Sequence, residues 1–188
     1  MSYELPQRMK RLKTGFNELP VPYAMEATDD AGKPRLDPSI IVDCLLQKRC
    51  WVCYDKLGGH KAFLVEPVCA IPRTSVLPPA HLECAMFLAD NNHAADVTLV
   101  YVTHTFEVME NSLFKMGDPE DMHFRFNGGE APAEDVASSI EKLFPELLES
   151  CGDNAKAKQT ICELHNGLME MIPGMKTVTP RKVKLEAE

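Results

Sequence analysis

Residues 50–53 read Cys-Trp-Val-Cys, and residues 78–84 read Pro-Pro-Ala-His-Leu-Glu-Cys. Each stretch holds two potential metal ligands with two residues between them, as zinc fingers do. A structural zinc ion takes four such ligands in a tetrahedron. The two residues inside Cys-x-x-Cys form a turn, and a spacing of three on a helix points two side chains the same way. We therefore predict a structural Zn²⁺ site with Cys50, Cys53, His81 and Cys84 as its ligands.

The residues between the two pairs predict the fold that carries them. Gly58-Gly59 is a tight-turn signal, and residues 61–66, Lys-Ala-Phe-Leu-Val-Glu, have the pattern of the returning strand of a hairpin. Pro79 is placed to open a helix, which would put His81 in its first turn. There the positive end of the helix dipole favours a metal complex of net negative charge. A hairpin with one ligand pair and a helix with the other indicate a treble-clef-like zinc finger.

The rest of the chain predicts an α+β protein. Residues 37–39, Asp-Pro-Ser, form an N-cap signal for a helix that ends near residue 48. Apolar alternation over residues 97–126 predicts an antiparallel β meander. Helical spacing over residues 136–148 and 157–172 predicts two C-terminal helices, the first kinked or broken at Pro145.

The same patterns predict the domain organisation. Residues 1–36, interrupted by prolines and charges, are interpreted as an N-terminal extended segment. Residues 37–174 form a single α+β domain of ordinary size, with a zinc-binding core at 48–92 and a C-terminal helical part at 131–174. The Lys- and Glu-rich residues 175–188 are predicted to be a disordered tail.

Composition limits the classes of partner. The chain has 188 residues and a formal net charge of −8, which disfavours nucleic acid because phosphate-binding surfaces need a basic excess. Basic clusters at residues 8–13 and 181–184 are interpreted as solvated terminal segments. No apolar run approaches the roughly 20 residues of a membrane span, and the N-terminus lacks the apolar core of a secretory signal. We therefore expect a cytoplasmic protein without membrane association, which binds a protein partner.

The remaining cysteines leave alternatives open. Seven cysteines in a reducing compartment favour metal binding over disulfides. Cys69, in an apolar stretch, either replaces His81 to give four thiolates or is packed in the core. A redox Cys-x-x-Cys is disfavoured because that motif should open a helix, whereas here the predicted helix precedes the pair. His60 is a poor ligand candidate because it lies at the predicted hairpin tip.

The motif blocks resemble an uncharacterised family of phage and bacterial proteins. Its members carry Cys-Trp-Val-Cys-Gly, Gly-Pro-Met-Cys-Ala-Val and Pro-Pro-Ser-His-x-x-Cys in that order. This chain has similar blocks at residues 50–53, 67–70 and 78–84, and the resemblance covers roughly residues 48–150. It implies the same metal pairs and a phage-encoded accessory protein in the host cytoplasm, and it supplies no activity. Tyr54 and Glu66 stand where the family usually has glycine.

Two classes of function follow from these observations. The first is a zinc-stabilised domain that binds another protein, with no catalytic or cofactor-binding residue assigned. The alternative is a His-metal finger (HNH-like) nuclease, which needs a histidine base after the first knuckle and a metal ligand on the helix. Its candidate residues are His60, with His93, Asn91 or Asn92. A separate enzymatic site in the meander would use His104, His123 and Glu107.

Overall fold

The secondary structure mixes helices with short strands. The computed structural model describes residues 4–15, 18–25, 27–28, 34–91, 96–110 and 112–175. Within these ranges there are four α-helices: α1 (Pro38–Gln47), α2 (Leu82–Asp90), α3 (Ala133–Glu149) and α4 (Ala155–Glu170). The same ranges hold nine strands: β1 (Ala27–Thr28), β2 (Pro34–Arg35), β3 (Lys61–Val65), β4 (Thr74–Ser75), β5 (Thr98–Thr103), β6 (Phe106–Val108), β7 (Phe114–Met116), β8 (Asp121–Phe126) and β9 (Gly129–Glu130). Every strand pairing in the described residues is antiparallel, so the predicted α+β class is confirmed.

A four-stranded sheet in the order β3-β5-β8-β9 separates two apolar cores. Side chains alternate between the two faces of a strand. On β5, Leu99 and Tyr101 therefore join the core that contains α3 and α4, whereas Val100 and Val102 join the core that contains α2. Since β5 is covered on both faces, its residues 99–103 are all buried. This central strand fixes the metal-ligand region on one face of the sheet.

The strand after the double glycine pairs differently from the predicted hairpin. β3 lies beside β5 and not beside the residues that precede Gly58. Those earlier residues form a single bridge between Arg49 and Lys56. On its other edge, β3 makes one antiparallel bridge, between Ala62 and Ala80, just before α2. The predicted hairpin is wrong because β3 pairs over its whole length with β5, where it buries Ala62 in the core beside α2 and Phe63 and Val65 in the core of α3 and α4.

The predicted meander is wrong in its middle. β5 pairs directly with β8, and the intervening β6 and β7 leave this sheet to join β4 in the order β4-β7-β6. The rings of Phe106 and Phe114 lie 5.7 and 6.3 Å from the ring of Phe63. This aromatic packing holds the second sheet against the core, which apolar alternation alone did not reveal.

The two helices beside the candidate metal region begin for identifiable reasons. Asp37 caps α1 by accepting the Ser39 N–H at 2.8 Å, and Lys48 ends it with φ 54°, so the helix predicted there is confirmed. α2 begins at Leu82, later than the predicted opening at Pro79. The delay arises because Ala80 still exchanges backbone hydrogen bonds of 2.9 and 2.8 Å with Ala62.

The C-terminal helices confirm the predicted elements but not every predicted face. α3 contains Pro145 without a break, and its buried residues are Val136, Ile140 and Phe144. α4 does not bury every residue of the face that its helical spacing predicts (Ala157, Ile161, Leu164, Leu168 and Ile172), since Leu168 is buried but Leu164 is 37% exposed. Its buried residues are Cys162, His165, Leu168 and Met169.

The two terminal regions of the chain remain to be considered. The N-terminal segment contains short 3₁₀ helices at Gln7–Met9 and Tyr23–Met25, and it contributes Met9 and Ala24 to the core beside α2. Residues 176–188, which include the second basic cluster, lie outside the described part of the chain. None of the helices in the described ranges combines the length and apolar character that a bilayer crossing requires.

Candidate metal centre

A tight turn presents the first ligand pair. Arg49 and Lys56 form an antiparallel bridge at its base, and the Tyr54 N–H donates to the Cys50 carbonyl at 2.8 Å. Tyr54 closes the turn in the left-handed region, with φ 62°. Because glycine adopts this conformation without strain, a glycine is the favoured residue at this position. The turn brings the Cys50 and Cys53 side chains to the same side.

The start of α2 presents the second pair. The bridge between Ala62 and Ala80 delivers the chain to His81, which is the N-cap residue of the helix. Cys84 follows in the first turn, so both side chains lie at the positive end of the helix dipole. The backbone N–H of His81 also points to Cys50 Sγ, at 3.4 Å. The two pairs are therefore joined directly by a hydrogen bond.

The four predicted side chains converge on one point. One ligand atom from each of Cys50, Cys53, His81 and Cys84 lies within 4.8 Å of the others. The three cysteines are at most 1% exposed, and His81 is half-buried. Three sulfur atoms and one imidazole nitrogen at this separation could hold a metal ion.

The orientation of His81 matches that of a metal-binding imidazole. Its Nδ1 faces the Cys53 sulfur at 3.4 Å, and its Nε2 lies 3.0 Å from the Lys56 carbonyl oxygen. With a proton on Nε2, this nitrogen donates to Lys56 and leaves the Nδ1 lone pair free. A ligating histidine commonly donates its other ring N–H to a carbonyl in this way. Burial lowers the pKa of His81, but the hydrogen bonds with Cys53 and Lys56 outweigh it and raise that pKa overall.

Hydrogen bonds distribute the thiol protons unequally. Burial disfavours the Cys50 thiolate, yet hydrogen bonds from Cys53, Cys84 and the His81 N–H lower the pKa of Cys50 to about 3. The pKa of Cys84 is raised, because its thiol donates to Cys50 and Cys53 and is buried. The Cys50 thiol therefore loses its proton more easily than the Cys84 thiol does. A divalent cation among the sulfur atoms favours all three thiolates, because it offsets their mutual repulsion.

The N-terminal segment covers the cluster, which the sequence interpretation missed. Arg8 Nε contacts Glu83 Oε1 at 2.5 Å, and its Nη1 lies 3.0 Å from His81 Nε2. Arg11 donates to the Cys53 carbonyl at 2.8 Å and pairs with Asp55. The interpretation of the first basic cluster as a solvated segment is therefore incomplete, because Arg8 packs against the cluster at 34% exposure, whereas Arg11 is 57% exposed. The sequence did contain one indication of this contact, because cationic side chains near the N-terminus are suited to pair with a thiolate-rich cluster.

Other candidate residues lie away from the cluster. Cys69 belongs to a 3₁₀ helix and packs against the core that contains α3 and α4, so the structure brings together His81 and not Cys69. Of the nuclease candidates, Asn91 donates its side-chain amide to the Phe87 carbonyl of its own helix. Asn92 and His93 lie outside the described residues.

The proposed enzymatic set in the meander is not assembled. Within the described residues, His104, His123 and Glu107 form no common cluster. His123 contacts Asp121 at 3.2 Å, and Glu107 lies on β6 in the other sheet. His104 instead lies beside His60 and Glu120.

An open apolar groove of about 1110 Å³ lies next to the knuckle. Trp51 lines it while being only 3% exposed, so its side chain is packed against its neighbours and not presented to solvent. No described residue accepts a hydrogen bond from Trp51 Nε1. Val76, at 73% exposure, stands in the groove wall. Among the described residues that line the groove, the charged ones are Glu66 and Asp96, both acidic.

Comparisons with known proteins supply no further guide to this site. The chain matches no family, no curated protein and no solved structure, so its interpretation rests on the residues described above.

Proposed function

We propose that the protein is a zinc-stabilised α+β protein whose function is to bind another protein. One observation carries the metal part: two ligand pairs, from a turn and from a helix N-terminus, converge within 4.8 Å in a buried setting. Three thiolates and an imidazole suit Zn²⁺ better than the hard cations, which prefer oxygen. Four protein ligands complete the tetrahedron and leave no position for water or substrate. The ion is therefore structural.

The order of the elements supports a treble-clef-like unit around this ion. The knuckle at residues 50–53 is followed by β3, by a returning segment that contacts it at Ala80, and by the N-terminus of α2. Such a unit binds its metal with a knuckle and with the first turn of its helix. The returning segment makes one bridge here, so the unit depends on the metal and on β5 for its order.

The apolar groove is the proposed surface for the partner. Its apolar walls favour an apolar segment of another protein. Because Glu66 and Asp96 are the charged residues among those that line it, we propose that this segment is flanked by lysine or arginine. The resemblance to phage and bacterial proteins would make this an accessory, phage-encoded role in the host cytoplasm.

Metal analysis tests the structural ion. Protein purified without a histidine tag and dialysed extensively should retain one equivalent of zinc. Cys84→Ser should lose the zinc and unfold the core beside α2, because structural zinc supplies folding free energy. Cys69→Ser, which changes a cysteine outside the cluster, should retain it. A zinc content near zero in the unchanged protein would contradict the proposal.

Site-specific crosslinking tests the groove. A photoreactive side chain at Val76 should crosslink a peptide that has an apolar centre and basic ends. The same group at Leu46, which is 79% exposed on α1 and does not line the groove, should not. Equal crosslinking at both positions would refute the groove as the docking surface.

A plasmid-cleavage assay tests the nuclease alternative. Metal-dependent cleavage that is abolished by His60→Ala would favour this alternative instead.

A further inference from the structure

The ends of three neighbouring strands bring together two histidines and a glutamate. His60 immediately precedes β3, His104 immediately follows β5, and Glu120 immediately precedes β8. The register pairs Lys61 with Thr103, so His60 and His104 come next to each other where these two strands end. Glu120 is held at the same edge because its N–H donates to the Val102 carbonyl at 2.8 Å.

The three side chains converge through their ligand atoms. The Nε2 atoms of His60 and His104 lie 3.3 and 3.2 Å from Glu120 Oε2. The two imidazole rings have their centroids 4.7 Å apart. Lys61 holds the supporting backbone, since its Nζ donates to the His104 carbonyl at 2.9 Å and to the Gly59 carbonyl at 2.8 Å. Two nitrogen atoms and one carboxylate oxygen thus face a common point.

We propose that His60, His104 and Glu120 form a second site, which binds a divalent transition-metal ion. In the ion-free arrangement, Glu120 Oε2 accepts a hydrogen bond from the Nε2–H of each imidazole. A divalent ion bound to both Nε2 atoms would take the place of these two hydrogen bonds, with the proton of each ring on Nδ1, and would offset the glutamate charge. Imidazole nitrogen suits Zn²⁺, Co²⁺, Ni²⁺ and Cu²⁺, whereas Mg²⁺ and Ca²⁺ require oxygen ligands.

This site differs in kind from the thiolate cluster. Its side chains are exposed by 60% at His60, 58% at His104 and 41% at Glu120, so it lies open to solvent. Three protein ligands leave coordination positions for water or for a group from another molecule, as in catalytic zinc sites. The ammonium group of Lys61 nearby and the high exposure make its binding weaker than that of the buried site. It therefore exchanges its ion with solvent.

Zinc titration of the untagged protein, already loaded at the thiolate site, tests the proposal. Calorimetry should show one additional binding step for Zn²⁺. His60→Ala, His104→Ala and Glu120→Gln should each weaken this step at least tenfold or abolish it, while the tightly held equivalent and the far-ultraviolet circular dichroism stay unchanged. Matched controls are His123→Ala and Glu107→Gln, which change residues of the same types outside the cluster and should leave the step intact.

Two results would overturn the proposal. One is a loaded protein that binds no further Zn²⁺, which would identify the cluster as hydrogen-bonded side chains only. The other is an additional step that His123→Ala weakens as much as His60→Ala, because this would indicate nonspecific binding by surface histidines. If every variant retains the zinc ion that is tightly held at the thiolate cluster, then either result counts against the second site alone and not against the structural zinc site.

Discussion

Arg8 is expected to tune the affinity of the thiolate cluster for zinc. Two positive charges on the ion against three thiolates leave one unit of negative charge at the centre. The guanidinium of Arg8 contacts both His81 and Glu83 above this centre. It therefore favours the negatively charged complex and disfavours a second proton on the His81 imidazole. Arg8→Gln should weaken zinc binding without removing any ligand.

The expected size follows from distance and exposure. Two unit charges 4 Å apart interact by about 1 kcal/mol in water and about 4 kcal/mol at an effective dielectric constant of 20. The Arg8 side chain is 34% exposed, so the lower end of this range applies. About 1.4 kcal/mol corresponds to a tenfold change in affinity. Changing a residue that orients a metal ligand typically weakens metal binding by about tenfold or more. We expect Arg8→Gln to weaken zinc binding about tenfold.

Competition with a chromophoric chelator at low salt measures this effect. Arg73→Gln is the matched control, because Arg73 is also 34% exposed and also pairs with a carboxylate, Asp118, far along the chain from the ligands. Adding Glu83→Gln to Arg8→Gln should recover part of the affinity, since an unpaired carboxylate near the thiolates is then removed. The reasoning is refuted if Arg8→Gln and Arg73→Gln bind zinc equally well.

Three further predictions concern stability and pH. Asp90→Ala should destabilise the protein by about 3–5 kcal/mol in chemical denaturation. The Arg125 side chain is only 12% exposed, and the change removes the carboxylate that lies 2.6 Å from its Nε, so a buried charge loses its partner. Tyr54→Gly should be about 1 kcal/mol more stable than Tyr54→Ala, because alanine retains the strain of a positive φ. Zinc affinity should fall as the pH is lowered from about 8 to about 6, because protons compete for His81 and Cys84, whose pKa values are both raised in the ion-free cluster.

Each of these has a result that contradicts it. Combining Asp90→Ala with Arg125→Met should recover part of the loss, and strict additivity of the two changes would show that the pair is not coupled. Equal stability of the Tyr54→Gly and Tyr54→Ala variants would show that the positive φ at this position carries no strain for a side chain. A zinc affinity that does not change with pH would mean that no proton is displaced by the ion.

The members of the Cys/His cluster could be predicted because their signal is local. Two Cys or His residues with two residues between them are fixed by a single turn, whatever the rest of the chain does. The N-cap at Asp37 is local in the same sense, since its side chain bonds the Ser39 N–H two residues away. Such features depend on a few neighbouring residues and can be recognised without the tertiary structure.

Strand partners could not be predicted from the same information. Whether β3 pairs with its neighbour in sequence or with β5 depends on which arrangement buries Phe63 and Val65, and that comparison involves residues that are far apart in the chain. The contact of Arg8 with the ligand helix and the meeting of His60, His104 and Glu120 have the same origin. Each depends on tertiary packing that no short motif encodes.

The position of the ligands along the chain has a consequence for synthesis on the ribosome. All four candidate ligands precede β5, the strand on which β3 relies for its hydrogen bonds. A nascent chain that has emerged only as far as α2 therefore presents every ligand while the central sheet is still incomplete. An ion captured at that stage would hold β3 and α2 together until the later strands arrive.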